Sequence, residues 1–393
     1  MANTLLSPTA VTRKALRILH QKCRFIGGVN RQYDDSFAKS GAKIGDSLKI
    51  RLPNQYVVRS GPTLSTQDTT ETSTTLQIAT QKGVDLNFTS VDLTLSLDDF
   101  SERILEPACA VLAAAMEADA LNMRKDVYQQ VNNAGSAATF AKLLAGRKLM
   151  VDSLTPQDDN WTALINTQDN VDMVDALKGL FHDSTAVKQQ YRDGMMGRTA
   201  GYDFFEHTML GKQLRGAGNG SYLSNGATQT GATIGVDTGT GAINAGEIVT
   251  FAGVFSVHPE TKVSTGALQQ FVVTADYAGG NGNLSIAPAI VASGATQNVS
   301  NAIADNSAMT IAGTASTPYG QSLLFHKDAF CFATADLVMP QGVDFSAREN
   351  YDGISIRIVR QYDINNDKFP CRLDVLYGYK TLRAQMAARL ANN

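Results

Sequence analysis

Alternating apolar and polar positions predict several strands in the N-terminal quarter of the chain. The pattern is clearest in "SLKIRL", "TTLQIAT" and "VDLNFTSVDLTLSL", where every second position tends to be apolar. Between the first two of these, residues 54–75 are polar and rich in threonine, so they bury little apolar surface on their own. We therefore predict a long β-hairpin arm that needs a partner to offset its ordering entropy. A mobile surface loop is the alternative.

Helical spacing of apolar residues predicts an N-terminal helix that ends near Gly27 and a much longer helix further along. The strongest helical pattern covers residues 98–133, and no Gly or Pro interrupts it from Ala108 to Val131. That uninterrupted stretch corresponds to about 24 residues and about 36 Å of helix. Such a length indicates an elongated subunit with a rod-like spine. Shorter helices are predicted within 137–156 and at about 170–180.

The middle of the chain has a different composition. Residues 216–320 hold 17 of the 33 glycines, and Lys262 is the only basic residue between Arg215 and Lys327. Five or six short strands separated by turn signals predict a small antiparallel barrel or sandwich. After it, "ISIRIVRQYD" and "CRLDVLYGYK" alternate as strands, and the tail is predicted to finish as a short helix. The simplest account is one α/β domain split by an inserted β domain at about 213–323.

Charge changes this picture only locally. The net charge is −3, yet residues 1–60 hold eleven Lys or Arg against three Asp. One interpretation is a solvated helix face beside an ordinary hairpin, and the other is a surface that faces nucleic acid or an acidic partner. The four cysteines form no CxxC pair, which predicts reduced, mostly buried thiols. The N-terminus lacks an apolar signal core, so we expect synthesis in the cytosol without secretion or membrane insertion.

Catalytic motifs do not emerge from the sequence. It contains neither a GxxxxGK[ST] phosphate loop nor a GxSxG elbow, and its five histidines are scattered without metal-ligand spacing. The acidic pair at Asp158 and the lone Trp161 are explained by turn capping and by a core position. Most of the predicted elements belong to the hairpin arm, the long helix and the inserted β domain. This organisation favours a structural subunit. We expect no enzyme activity, cofactor or metal.

Four stretches carry a family resemblance, and they are "QYRDGMMGRTAGYDFFEH" at 190–207, "GEIVTFAGVFSV" at 246–257, "FVVTADY" at 271–277 and "LLFHKDAFCFATADLVMP" at 323–340. Together with the order of parts, they resemble the major capsid proteins of tailed double-stranded DNA bacteriophages, which have the Hong Kong 97-type fold. The resemblance is strongest to the coat proteins of short-tailed Salmonella phages, which carry an inserted β-barrel domain. The last stretch is similar to a re-entry strand and helix of capsid proteins.

The resemblance implies an α+β fold with six consecutive parts. They are an N-terminal arm or helix (1–41), an E-loop hairpin with its strands (42–96), a peripheral domain with the spine helix (97–159), a first axial part (160–212), an inserted antiparallel β-barrel domain (213–323) and a last part with axial and peripheral strands (324–393). In the family the inserted domain steadies the folding subunit and helps to tie capsomers together.

The function implied by the resemblance is that of a major capsid protein, which self-assembles into the icosahedral head shell around the phage genome. Copies would meet as hexamers and pentamers, with a scaffolding protein and a portal as partners and double-stranded DNA bound without sequence specificity. Assembly would take place in the host bacterial cytoplasm and the product would be the virion capsid, with no membrane involved. The alternatives are an encapsulin-type shell protein of the same fold and a β-rich phage decoration or binding protein.

The resemblance also implies two sets of site residues. Charges on the E-loop are expected to pair between subunits, and they are Arg51, Arg59, Asp68 and Glu71. Basic positions of the N-terminal helix are expected to face the shell interior, toward scaffold or DNA, and they are Arg13, Lys14, Arg17, Lys22 and Arg24.

Overall fold

The structure is a computed structural model that describes residues 12–17, 23–31, 47–59, 61–64, 66–68, 72–89, 106–177, 198–351, 354–366 and 368–392. Within these residues the protein is a mixed α+β structure dominated by strands. The helices are α1 (12–17), α2 (Phe25–Gly28), α3 (Glu106–Leu121), α4 (Phe140–Asp152) and α5 (Thr167–Leu177), with 3-10 turns at Asn122–Asp126, Lys327–Ala329 and Ala384–Met386.

The strands range from two to 14 residues in length. The first eleven are β1 (Ser47–Arg51), β2 (Ser73–Gln77), β3 (Thr80–Thr89), β4 (Gln130–Asn132), β5 (Trp161–Ile165), β6 (Arg198–Thr199), β7 (Tyr202–Glu206), β8 (Lys212–Leu214), β9 (Leu223–Ser224), β10 (Gly231–Asp237) and β11 (Ile248–Phe251). The others are β12 (Phe255–Val257), β13 (Ser264–Leu268), β14 (Phe271–Val273), β15 (Gly282–Ile290), β16 (Met309–Ile311), β17 (Pro318–His326), β18 (Phe330–Ala335), β19 (Phe345–Tyr351), β20 (Ile354–Arg360), β21 (Lys368–Thr381) and β22 (Ala387–Ala391).

The chain divides into two compact units. The first comprises Met1–Arg51, Ser73–Asn122 and Phe330–Leu382, and the second comprises Leu52–Thr72, Met123–Ala329 and Arg383–Asn393.

The first unit is built on an antiparallel sheet whose longest strand is β21. β3 pairs along one edge of β21, while β20 and β18 pair along the other and β19 extends the sheet beyond β20. The alternation of "ISIRIVR" places Ile354, Ile356 and Ile358 in the core. Helix α3 is held to β21 by a hydrogen bond of 2.5 Å from the Tyr377 hydroxyl to Oδ2 of Asp119.

The second unit contains a seven-stranded sheet centred on β17. This strand pairs with β22, β5 and β8, all antiparallel, while β4 and β7 extend the sheet by parallel pairing with β22 and β5. Helix α4 belongs to the same core through Leu143 and Met150. Trp161 is 1% exposed and packs edge-on against Tyr202, with ring centroids 5.3 Å apart. The predicted core role of Trp161 is therefore confirmed.

The second unit also contains an antiparallel sheet of six strands, in the order β16-β11-β14-β15-β10-β9. Its two outer strands are themselves joined, because Met309 N donates to the Tyr222 carbonyl at 2.9 Å and Ser224 N donates to the Ser307 carbonyl at 3.0 Å. The inward side chains form one apolar cluster that includes Phe251. Strands β12 and β13 form a separate hairpin, and every residue of β13 is exposed.

Two predicted helices are wrong in extent or type. The uninterrupted helix expected from Ala108 to Val131 ends at Leu121, passes into a 3-10 turn, and gives way to strand β4, which contains Val131. The tail, predicted as a short helix, is a 3-10 turn followed by β22. Each segment has good helix formers, but β22 is fully buried between β17 and β4, so tertiary pairing overrides local propensity.

The stretch at 323–340 also differs from its expected strand and helix. It contains the end of β17, a 3-10 turn and β18. Of the other helices, α4 and α5 lie where the pattern predicted them, although α5 begins three residues earlier, at Thr167 rather than Asn170. The Thr139 side chain caps α4 by accepting from Lys142 N.

Candidate assembly surfaces

The predicted arm includes a β-hairpin of two paired strands. β1 pairs with β2 from Ser47 opposite Gln77 to Arg51 opposite Ser73. Further along, Gln67 brackets the backbone of Val57, since its Oε1 accepts from Val57 N at 2.9 Å and its Nε2 donates to the Val57 carbonyl at 2.5 Å. The side-chain amide of Gln67 thus makes the two hydrogen bonds that a paired strand residue would make. They hold the segments around residues 57 and 67 together where the described backbone forms no strand ladder.

The tip of the arm is shaped by Arg59. Its Nη1 donates to the carbonyls of Gly61 and Thr63, the second at 3.1 Å. Gly61 has a φ of +88°, which a residue with a side chain rarely adopts, so the turn requires glycine here. Arg59 thus holds the conformation of its own turn.

Large apolar side chains are exposed on the arm. Tyr56 is 57% exposed, Val58 is 89% exposed and Leu64 is 79% exposed. Exposed apolar residues grouped on one thin element are typical of a contact surface. Only the charges of the arm were predicted as site residues, although the apolar run "YVV" inside a polar segment indicates this exposed group.

Two of the predicted E-loop charges are exposed side chains. Arg51 ends β1 opposite Ser73, and Asp68 lies in the segment 66–68. Arg59 contacts the tip carbonyls. Glu71 lies outside the described residues. A pairing of these charges between subunits stays a prediction.

The basic N-terminal helix is described in part, as α1. Ala15 and Leu16 are buried, while Arg13 and Arg17 are exposed and Lys14 is partly exposed. Nε of Arg13 lies 3.5 Å from Oε1 of Glu349, with 72% of the Arg13 side chain exposed. Arg24 is exposed just before α2, and Lys22 lies outside the described residues. An interior-facing role for this basic surface stays a prediction.

A buried carboxylate anchors the segment that follows α1. Glu117 on α3 is 1% exposed, and its two oxygens accept from Phe25 N at 3.2 Å and Ile26 N at 3.4 Å. These amides belong to the first turn of α2, where helix N–H groups lack partners within the helix. Phe25 also packs edge-on against Phe330 at 5.6 Å between ring centroids. The sequence pattern gave no sign of this contact, because Glu117 sits among ordinary helix formers.

The chain enters and leaves the six-stranded region side by side. β8 pairs with the start of β17, so that Lys212 lies opposite Gly320 and Leu214 lies opposite Pro318. Three segments meet here, 212–216, 244–248 and 316–321, and we call them together the neck.

Two buried residues of opposite charge lie in the neck. Arg215 is 5% exposed and Glu247 is 4% exposed. Oε1 of Glu247 accepts from the amides of Gly216 and Asn244, at 2.5 and 2.8 Å. Nη1 of Arg215 donates to the carbonyls of Gly216 and Gly218, at 2.9 and 2.5 Å. Burial raises the pKa of the Glu247 carboxyl, and the two amides and the Arg215 guanidinium oppose that rise.

A second side-chain amide joins the six-stranded region to the edge of the seven-stranded sheet. Oε1 of Gln270 accepts from Gln130 N, and Nε2 of Gln270 donates to the Gln130 carbonyl, both at 2.8 Å. Because Gln130 is the first residue of the edge strand β4, Gln270 supplies the pairing that a further strand would supply.

The described residues contain no cluster of ligating side chains that fits a metal ion. Among the helices that the structure describes, none is both long enough and apolar enough to span a membrane. All four cysteines are buried free thiols, as expected from their spacing. Burial raises the pKa of the Cys109, Cys331 and Cys371 thiols to about 12, and that of Cys23 further.

Comparison with protein families matches residues 29–390 to the family described as "P22 coat protein - gene protein 5". No curated protein matches the chain. Similar solved structures include that of Mycobacterium phage Che8, at 12% identity and a TM-score of 0.49 over 94% of this chain and 90% of that one. The capsid structure of Cyanophage P-SCSP1u has 10% identity and a TM-score of 0.44 over 91% and 85%. The crystal structure of a virus-like particle from Pyrococcus furiosus has 7% identity and a TM-score of 0.40 over 97% of each chain.

The family match spans nearly the whole chain. The chain belongs to the P22 coat protein family. It is the major capsid protein of a tailed bacteriophage, a structural protein whose copies form the head shell. The family and the capsid role predicted from the four sequence stretches are therefore confirmed. The encapsulin-type and binding-protein alternatives are not favoured.

Proposed function

We propose that this coat protein has the Hong Kong 97-type fold and that residues 213–323 form a β-barrel domain inserted into it. The joined outer strands β9 and β16 support a closed barrel, because closure leaves no free sheet edge. The pairing of β8 with β17 supports an insertion, because it brings entry and exit together. The other parts of the proposal keep the boundaries 1–41, 42–96, 97–159, 160–212 and 324–393.

The arm carries the proposed mechanism of assembly. It lies across a neighbouring copy in the shell and buries its exposed apolar tip there. The observation that carries this proposal is the exposure of Tyr56, Val58 and Leu64 on a hairpin that has no core of its own. Arg51 and Asp68, with Glu71, add charge pairs at the same interface and set its register more than its affinity.

The shell consists of hexamers and pentamers of this chain, and its assembly in the host bacterial cytoplasm uses a scaffolding protein and a portal. The basic surface at Arg13, Lys14, Arg17 and Arg24, with Lys22, faces the interior. There it meets scaffold or the packaged double-stranded DNA, which it binds through phosphates and without sequence specificity. The exposure of Arg13 and Arg17 supports this orientation.

Electron microscopy of the chain expressed alone in bacteria, with sedimentation of the same sample, tests the proposal. We expect closed shells, open sheets or spirals of uniform subunits, and spirals would indicate that a scaffolding protein is missing. A map of closed shells should show the arm of each subunit on its neighbour. A monodisperse 42.0 kDa monomer at high concentration would contradict self-assembly. Shells in which the arm contacts only its own subunit would contradict the role of the arm.

A further inference from the structure

A small cavity lies in the neck. Its lining includes Gln130, Arg215, Glu247, Tyr319 and Gln321. The space within it that the centre of a water molecule can occupy is about 20 Å³. A single buried water needs about 10–15 Å³ of such space and two to four polar partners. The cavity therefore has room for one water molecule and little else.

Three of the lining residues carry a buried polar atom that has no hydrogen-bond partner in the described protein. These atoms are Nε of Arg215, Oε2 of Glu247 and Oε1 of Gln321. The residues are 5%, 4% and 3% exposed, so bulk solvent does not satisfy them. An unsatisfied buried polar group costs about 1–3 kcal/mol. Three such groups around one cavity call for a common partner.

The chemistry of the three atoms defines that partner. Glu247 and Gln321 each present an acceptor oxygen, whereas Arg215 presents an N–H donor. A cation would suit the two oxygens but would face a guanidinium, and an anion would suit Arg215 but would face a carboxylate. A water molecule donates two hydrogen bonds and accepts two, so it alone matches all three. We propose that the neck cavity is a binding site for one structural water molecule, bridging Arg215, Glu247 and Gln321.

The proposed water joins three parts of the neck that are distant in sequence. Arg215 follows the entry strand β8, Glu247 precedes β11, and Gln321 belongs to the exit strand β17. The bridge therefore connects the start of the six-stranded region with both chain segments that link it to the seven-stranded sheet. It acts beside the Gln270 contact to the Gln130 backbone, on the same side of that region.

A density map of the assembled shell, at a resolution that shows ordered water, tests the site directly. We expect one isolated peak at about 2.7–3.2 Å from each of the three atoms. An empty cavity, in a map that shows other buried waters, would overturn the proposal. A peak surrounded by oxygens at about 2.3–2.6 Å would indicate a cation and would also overturn it.

A double-mutant cycle provides a second test that needs no map. Glu247→Gln and Gln321→Met preserve size while changing the atoms that face the cavity. An ionised carboxylate oxygen and an amide oxygen cannot hydrogen-bond to each other, so coupling between them at a pH where Glu247 is ionised indicates a bridging donor. We expect the double variant to shift the thermal unfolding midpoint by clearly less than the sum of the single shifts, because either change already disrupts the bridge.

The matched control pairs Glu247→Gln with Gln269→Met. Gln269 is also buried in the six-stranded region, but its Nε2 donates to the Gln270 carbonyl and it does not line the cavity. We expect additive shifts for this control pair. Additive shifts for the neck pair as well would overturn the water bridge.

Discussion

Asp169 is a buried carboxylate that the pattern of the sequence did not single out. It is 0% exposed, and its Oδ2 accepts from the Ser322 hydroxyl at 2.5 Å and from Nδ2 of Asn392 at 2.8 Å. Burial raises its pKa above the ordinary value of 3.8 despite these hydrogen bonds. The folded state therefore holds this proton at a pH where the unfolded chain has released it. This carboxylate consequently lowers stability as pH rises from about 4, through the folded-state pKa.

We predict that Asp169→Asn removes this pH dependence. The stability of the variant relative to the natural chain should increase with pH above about 4 and level off beyond the folded-state pKa. Urea unfolding of the dissociated subunit across this range measures the difference. The control is Asp152→Asn, which removes an exposed carboxylate at the end of α4. A pH-independent difference for Asp169→Asn would contradict the prediction.

Glu117 gives a second prediction at this scale. Glu117→Ala removes the acceptor for the amides of Phe25 and Ile26, so we expect a loss of about 1–3 kcal/mol and release of the segment around α2. Limited proteolysis should then cut within residues 23–31 faster than in the natural chain. Glu117→Gln keeps one acceptor oxygen, so its cleavage rate should lie between those of the natural chain and of Glu117→Ala. Unchanged cleavage in Glu117→Ala would show that packing of Phe25 alone holds the segment.

At the scale of helices and strands, local sequence patterns predicted some elements correctly and others wrongly. The period-two pattern located the arm strands and most strands of the six-stranded region, because alternation reflects a local face that is buried. Val131 and the tail were misassigned because their partners are remote. Residues 130–132 become a strand by pairing with 389–391, and neither segment shows this in its own pattern. The candidate charges of the arm were visible in the sequence, but Glu117, Glu247 and Gln270 act through contacts that only the fold creates.

The contact of Gln270 with β4 allows a test of how the six-stranded region is attached. Gln270→Leu removes both hydrogen bonds to the Gln130 backbone, at a cost of about 1 kcal/mol each. We expect hydrogen exchange of the Gln130 amide to accelerate by about tenfold or more. The neighbouring change Gln269→Leu is the matched control and should leave that amide protected. Equal exchange in both variants would exclude a specific role for Gln270.

The arm makes a prediction about assembly. Val58→Asp places a charge on the apolar tip and should reduce shell yield strongly, because an unpaired charge is costly to bury. The monomer should keep its unfolding midpoint, since Val58 is 89% exposed. Val58→Ile preserves the apolar surface and should assemble normally. Sedimentation with electron microscopy measures yield, and normal shells from Val58→Asp would show that the tip lies outside the interface.

For the whole molecule, we predict that residues 213–323 fold alone. Their apolar cluster is internal, and the outer strands bond to each other, so the segment needs no edge from the rest of the chain. The isolated fragment should show β-type circular dichroism and one cooperative thermal transition. Glu247→Ala within the fragment should leave the transition present but lower its midpoint. A fragment that unfolds without cooperativity would mean that this region depends on the seven-stranded sheet.

The pairing of β8 with β17 has a consequence for engineering. Leu214 and Pro318 face each other across one strand spacing, so the ends of the intervening segment are about 5 Å apart. A foreign domain whose own termini lie that close together could replace the segment without moving either strand. The neck is thus a suitable site for domain insertion. Each subunit of an assembled shell could display one copy of a chosen domain there, while the rest of the subunit keeps its fold.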